Sequence, residues 1–142
     1  MNADATVPAW RSAAVLVGRL IFAAVFLMAA VFKFMGMNDT AGYIAAAGFP
    51  MPLLLAWLAA IFECLLVIGL LTGAFFTETC LLAGLYVVFL AFSFHGPSHW
   101  AASQYEFGSF VDHFVFLAGL LFAAAHGPGR ILALRRSVIG GA

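Results

Sequence analysis

The stretch "AIFECLLVIGL", Ala60–Leu70, places one carboxylate, that of Glu63, inside a run that is otherwise apolar. Of the 142 residues in the chain, 65% are hydrophobic and only 8% are charged. A soluble fold of this length needs more charge to cover its surface, so most of this surface must face lipid. The sequence therefore predicts an integral membrane protein with one of its few charged residues in the middle of an apolar segment.

Three more apolar segments appear when the chain is divided at its Gly, Pro and polar clusters. Each of the four segments approaches the ~20 residues that a helix needs to cross a hydrocarbon core of about 30 Å. None shows the strict alternation of a barrel strand. We predict an all-α membrane protein with a single transmembrane domain over residues 1–142, a four-transmembrane-helix bundle with a short interfacial helix between helices 1 and 2. The predicted spans are residues 12–35, 53–72, 77–95 and 110–126.

The positive charges predict the orientation. Arg11 precedes the first span, and Arg130, Arg135 and Arg136 follow the fourth, whereas the two long connections carry no Lys or Arg. Cytoplasmic segments of membrane proteins are enriched in these residues, so both termini are predicted to be cytoplasmic. The formal net charge is zero and there is no basic run, which argues against nucleic-acid binding.

Further ionisable residues fall within the predicted spans. Arg19 and Lys33 share one face of the first helix, and Asp112 and His113 lie near the start of the fourth. An ionisable group at the bilayer centre costs about 2.5–3.5 kcal/mol on insertion scales, so such groups usually face the bundle and are paired. We expect Arg19 to pair with Glu63, and Lys33 to pair with Asp112.

Two interpretations of these charges stay open. Buried ion pairs can be purely architectural and fix the register of helices. Alternatively, the charges can line a ligand pocket, with walls from aromatic residues such as Phe26 and Phe89 and a polar end from Lys33, Asp112 or His113. Such a pocket would suit a quinone or another amphipathic ligand.

The histidines and cysteines do not form a recognisable metal or redox motif. His95 and His99 are four residues apart, but the glycine and proline between them disfavour a regular helix, so no metal site is predicted. Cys64 and Cys80 lie on different predicted helices and form no Cys-x-x-Cys pair. This separation argues against a disulfide-exchanging enzyme.

Four stretches together resemble the DoxX family of small four-helix bacterial membrane proteins: "GRLIFAAVFLMAAVFKF" (18–34), "YIAAAGFPMP" (43–52), "WLAAIFECLLVIGLLTG" (57–73) and "FLAGLLFAAAHGPGR" (116–130). The positions that carry the resemblance are Arg19, Lys33, Gly48 with Pro50, Glu63, Gly69 with Gly73, and 127–130. The chain departs from the family pattern twice. It has Asp112 and His113 where members often carry Lys-Asn, and "ILALRRS" where an aromatic residue, Ser and Asp often follow.

The resemblance implies a function in redox chemistry at the bacterial inner membrane. The family is similar to the small subunit of thiosulfate:quinone oxidoreductases, and relatives are associated with membrane oxidoreductase complexes. It implies an accessory subunit of a quinone-linked system, not catalytic alone, with a quinone as cofactor and other membrane subunits or a second copy as partners. Two alternatives stay open: a non-catalytic structural or assembly subunit of a larger complex, and a small lipid- or ligand-handling membrane protein.

Overall fold

The structure, a computed structural model, describes residues 8–134 and 137–139. Its α-helices are α1 (Ala9–Met35), α2 (Met37–Ala46), α3 (Pro52–Thr72), α4 (Phe76–His95) and α5 (Gln104–His126). All but α2 are long and apolar enough to cross a membrane, and a short 3-10 turn, Pro97–His99, follows α4. The predicted all-α fold is confirmed, and α2 stands where the interfacial helix was predicted. Arg135 and Arg136, on which the predicted orientation partly rests, lie outside the described residues.

Helix α3 begins and ends at residues suited to those positions. Pro52 occupies its first turn, where a missing N–H leaves no hydrogen bond unmade. Gly73 ends it in the left-handed conformation, φ 70°, and donates its N–H to the carbonyl of Gly69. A Cβ at position 73 would also lie 3.1 Å from the side chains of Pro128 and Ala133. The turn therefore favours glycine for its conformation and for its close contact with the chain after α5.

Helix α5 starts six residues earlier than the span predicted from residue 110. The Ser103 hydroxyl accepts a hydrogen bond from the N–H of Tyr105, 3.2 Å away, and so caps the helix. Glu106 in the first turn favours the positive end of the helix dipole. The first turns of α5 contain polar residues, so hydropathy alone did not predict them as part of the helix. The residues that cap the helix are nevertheless present in the sequence.

The membrane-length helices pack as two antiparallel pairs, α1 with α3 and α4 with α5, which meet along α3 and α4. The end formed by residues 71–76 and 127–134 is called the tail end, and the end formed by residues 36–51 and 96–103 the loop end. The main core lies toward the tail end. Its buried residues are Ala23, Phe26, Leu66, Val67, Leu70, Phe76, Cys80, Ala83, Val87, Leu120 and Ala124.

A second and smaller cluster closes the loop end. Ala41 and Ile44 of α2 pack on Ala56 of α3, and the ring of Tyr43 stacks on that of Phe94 at 5.0 Å. A cavity of about 780 Å³ lies between this cluster and the main core. The main core, the cavity and the smaller cluster therefore follow one another from the tail end to the loop end, and α2 lines part of the cavity.

Candidate functional site

Three side chains from three helices converge at the cavity. The Lys33 Nζ lies 2.8 Å from Oε1 of Glu63, and the Tyr86 hydroxyl donates to the same oxygen at 2.9 Å. Glu63 is only 1% exposed, whereas the side chain of Lys33 is 20% exposed. Lys33 and Tyr86 line the cavity, and Glu63 lies behind them. The second carboxylate oxygen of Glu63, Oε2, is buried and has no hydrogen-bond partner among the described residues.

Small residues allow α1 and α3 to approach closely enough for this contact. Ala30 of α1 and Ala56 and Ala60 of α3 are almost completely buried. Small side chains at helix contacts bring backbones together in membrane bundles. The long side chain of Lys33, in the last turn of α1, then reaches along the helix to the middle of α3.

The predicted Arg19–Glu63 pair is wrong. Arg19 is 2% exposed, and its Nε and Nη2 donate to the carbonyls of Leu70 and Leu71 at 3.0 and 2.7 Å. Its remaining hydrogen bonds go to carbonyls of the segment after α5, those of Pro128, Ile131 and Leu132, at 2.9–3.0 Å.

The carbonyls in the last turn of a helix have no partner within the helix, and an arginine supplies five N–H donors. Arg19 lies level with that turn of α3. Glu63 is seven residues before Leu70, about 10 Å closer to the loop end. Arg19 is therefore fully engaged at the tail end, away from the cavity.

The predicted Lys33–Asp112 pair is also wrong. Asp112 is exposed on α5, and Lys33 bonds Glu63 instead. The reason is the helix pairing. Helix α5 packs along α4. It contacts α1 through the rings of Phe116 and Phe22, whose centroids are 5.7 Å apart. Phe116 lies one turn nearer the tail end than Asp112, so this contact does not bring Asp112 to Lys33.

His113, the neighbour of Asp112, does line the cavity. Its Nδ1 lies 2.6 Å from the carbonyl oxygen of Ser109, one turn earlier in α5. Of the predicted site residues, the structure thus brings Lys33, Glu63 and His113 to one cavity. Arg19 and Asp112 lie elsewhere.

Sequence reasoning missed a second ionisable pair, between His95 Nδ1 and Glu106 Oε2 at 2.6 Å. His95 also lines the cavity, and its ring centroid lies 5.1 Å from that of His113. A signal for this pair existed. His95 ends α4 and Glu106 lies in the first turn of α5, so the short connection between these antiparallel helices brings them together.

The walls of the cavity are mainly aromatic and aliphatic. Its aromatic residues are Phe32, Phe49, Phe62, Phe89 and Phe94, and its polar residues are Lys33, Asp39, Thr40, Tyr43, Tyr86, His95 and His113. Ligand pockets of about 300–1,000 Å³ typically combine apolar walls with a few polar groups that orient the ligand. The cavity matches this pattern in size and lining.

Tyr43 contributes a hydroxyl from α2 at the rim of the cavity. Burial raises the pKa of Tyr43, and the charges of Glu106 and Tyr105 raise it further. Its hydroxyl therefore stays protonated at neutral pH and can both donate and accept a hydrogen bond.

Neither cysteine lines the cavity. No three His, Cys, Asp or Glu side chains in the described part of the chain converge as metal ligands. Cys64 and Cys80 are both free. The polar residues of the cavity are therefore suited to hydrogen bonding and to holding charge.

The comparison with protein families identifies the chain. Residues 14–96 match the sequence profile of the DoxX family. The matched segment runs from α1 to the end of α4 and includes Arg19, Lys33 and Glu63, whereas Asp112 and His113 of α5 lie beyond it. No curated protein and no solved structure gives a significant match to the sequence. Because the matched segment covers more than half of a chain with four membrane-length helices, the protein belongs to the DoxX family.

Proposed function

We propose that this DoxX-family protein binds a quinone in the cavity and serves as an accessory subunit of a quinone-linked redox system in the bacterial inner membrane. The observation that carries the proposal is the cavity of about 780 Å³ with aromatic walls that ends at the Lys33–Glu63–Tyr86 cluster. Electron transfer then belongs to a partner subunit, as the family resemblance implies.

The Lys33–Glu63–Tyr86 cluster can donate hydrogen bonds to a ligand that carries a carbonyl group on an apolar ring. Lys33 uses one ammonium N–H for Glu63, and the other two have no acceptor among the described residues. A quinone carbonyl can accept one of them, while the ring packs on Phe62 and Phe89. Because Glu63 neutralises Lys33, the site suits a neutral head group better than an anionic one.

The surroundings of the cavity suit a ligand that partitions into lipid. Phe32 lines the cavity and is 63% exposed, so the cavity wall continues into the surface of α1. An isoprenoid tail can follow this surface into the bilayer. The proposed orientation, with both termini cytoplasmic, places Arg11 and Arg130 in the cytoplasm and the loop end on the other side.

A photoreactive azidoquinone tests the proposal on the wild-type protein in lipid nanodiscs. We expect the label to map to the cavity stretches of α1 and α4, residues 29–33 and 86–94, and to be displaced by decylubiquinone. A label spread over the lipid-facing surface, or one that decylubiquinone does not displace, would refute quinone binding at this site.

A matched pair of variants tests the role of Lys33. Loss of a hydrogen bond from a charged group should weaken decylubiquinone binding by about tenfold or more in Lys33→Met. Arg11→Met removes a cation from the exposed start of the same helix and should leave the affinity unchanged. Equal affinities for the two variants would exclude Lys33 as a ligand contact.

A further inference from the structure

Two imidazoles outside the Lys33–Glu63–Tyr86 cluster line the cavity, one at the end of α4 and one on α5. His113 and His95 both line the cavity, with ring centroids 5.1 Å apart. The proposed quinone binding uses neither of them. Their hydrogen bonds leave the same nitrogen, Nε2, available on each ring.

The contact of His113 with the backbone fixes its tautomer. A carbonyl oxygen only accepts hydrogen bonds, so the Nδ1 that lies 2.6 Å from the Ser109 carbonyl carries a proton. In the neutral ring Nε2 is then an acceptor, and it has no partner among the described residues. A hydrogen bond at one nitrogen sets the role of the other in this way in many proton-transferring histidines.

His95 connects this position with the loop end. Its Nδ1 bonds the Glu106 carboxylate at 2.6 Å. The residues that follow His95, which include the 3-10 turn, belong to the loop end. The side chain of Glu106 is 24% exposed, so it reaches the surface. Glu106, His95 and His113 therefore lie next to one another between the surface and the cavity, with a hydrogen bond between the first two and neighbouring rings for the last two.

We propose that His113 exchanges a proton with a hydroxyl of the bound ligand, and that His95 and Glu106 connect His113 with the aqueous phase at the loop end. The proposal rests on the proposed function and deepens it, because it makes the cavity a site for a quinol as well as a quinone. In the step, the O–H bond of the ligand breaks and an N–H bond forms at Nε2 of His113. The positive charge of the protonated ring then balances the negative charge left on the ligand oxygen, and no electron moves.

The proposal predicts that the preference of the site for quinol over quinone depends on pH. Neutral His113 accepts from a quinol hydroxyl, whereas protonated His113 donates to a quinone carbonyl. The other titratable groups facing this region or next to it are Lys33, Asp39, Tyr43, Glu63, Tyr86, His95, Tyr105, Glu106 and Asp112.

The experiment measures Kd for decylubiquinol and for decylubiquinone, with the whole protein in nanodiscs, from pH 5.5 to pH 8. Loss of one proton changes a binding ratio by up to tenfold per pH unit, so we expect the preference for quinol to rise by about fivefold or more as the pH increases. His113→Gln should bind both forms with a ratio that no longer depends on pH. The control, His99→Gln, alters an exposed histidine of the same loop and should behave as the wild type.

The outcomes separate the two proposals. If both forms bind and their ratio is independent of pH, or if His113→Gln retains the pH dependence, proton exchange at His113 is refuted while quinone binding stands. If neither form binds to the wild type, the proposed function is refuted, and this inference falls with it.

Discussion

Arg19 and Lys33 are two cations on one face of α1, and they have different partners. Lys33 bonds a carboxylate at a cavity, whereas all five N–H groups of Arg19 bond backbone carbonyls in a packed region, where its guanidinium also lies over the ring of Phe76. The difference follows from their side chains. A planar guanidinium with five donors can satisfy several carbonyls at once, whereas an ammonium acts as a compact charge. Arg19 therefore joins the end of α3 to the segment after α5 and has no donor left for a ligand.

We predict that Arg19→Lys destabilises the protein while keeping its charge. An ammonium has three donors for the five carbonyls that Arg19 satisfies, so buried acceptors lose their partners, at about 2–4 kcal/mol in total. Thermal unfolding in detergent measures the loss, and faster amide hydrogen exchange at residues 131–134 should accompany it.

The matched control for this prediction is Arg11→Lys, which changes an exposed arginine of the same helix. Its effect should stay within about 0.5 kcal/mol, as is usual for surface substitutions. A similar Tm for the two variants would contradict the role of Arg19 as the connection between α3 and the tail end.

The sequence indicated which charged residues of α1 and α3 are buried or face inward, but not which partners they have. Hydropathy and helix periodicity singled out Glu63, Lys33 and Arg19 as buried or inward-facing. The partners depend on which helices are neighbours and on the relative axial shift between them, which local patterns do not contain. The partners of Arg19 are backbone carbonyls, and every residue has one, so the side-chain sequence does not indicate which carbonyls Arg19 binds.

At the scale of the helices, α3 and α4 meet through a glycine. A Cβ at Gly69 would lie 2.3 Å from Oγ1 and 2.9 Å from Cγ2 of Thr79. Thr79 is itself buried. This contact lies on the tail-end side of the cavity, and it brings α3 and α4 close together there.

We predict that Gly69→Ala destabilises the protein by about 1–3 kcal/mol, because the added methyl group overpacks this contact. Adding Thr79→Ala should recover part of the loss, since it removes the two closest atoms and leaves a Cβ at 3.1 Å. Tm in detergent measures both effects.

Gly108→Ala is the control for this helix contact, because an added Cβ there meets nothing within 4 Å. Its Tm should stay close to that of the wild type. Equal losses in the two alanine variants, or no recovery in the double variant, would show that α3 and α4 do not depend on close packing at Gly69.

Long apolar segments made the membrane-length helices predictable, because lipid leaves few other structures for such a sequence. The start of α5 was missed for the same reason, since Gln104 and Glu106 lower the local hydropathy. The pairing of α4 with α5 follows from their short connection. The approach of α1 to α3 depends instead on buried alanines whose contacts no local pattern specifies.

At the scale of the molecule, the two ends of the bundle differ in packing and in charge. The tail end holds the main core and the hydrogen bonds of Arg19, whereas the loop end is separated from it by the cavity. The composition predicted a bundle but not this division. The cavity lies between the main core and the cluster at the loop end, and α2 lines part of it. The aromatic contact of Tyr43 of α2 with Phe94 joins residues far apart in the chain.

The charge difference between the ends predicts the orientation of the protein, and accessible cysteines can test it. Arg11 and Arg130 lie toward the tail end, whereas residues 36–51 and 96–103 contain no Lys or Arg, so the loop end should face away from the cytoplasm. With Cys64 and Cys80 replaced by Ala, we expect a membrane-impermeant maleimide to label Ser98→Cys in intact spheroplasts. Arg130→Cys should react only after permeabilisation, and equal labelling of both variants in permeabilised cells is the control. The reverse pattern would place the cavity opening and the His95–Glu106 pair on the cytoplasmic side, so the proposed proton exchange would then serve the cytoplasm.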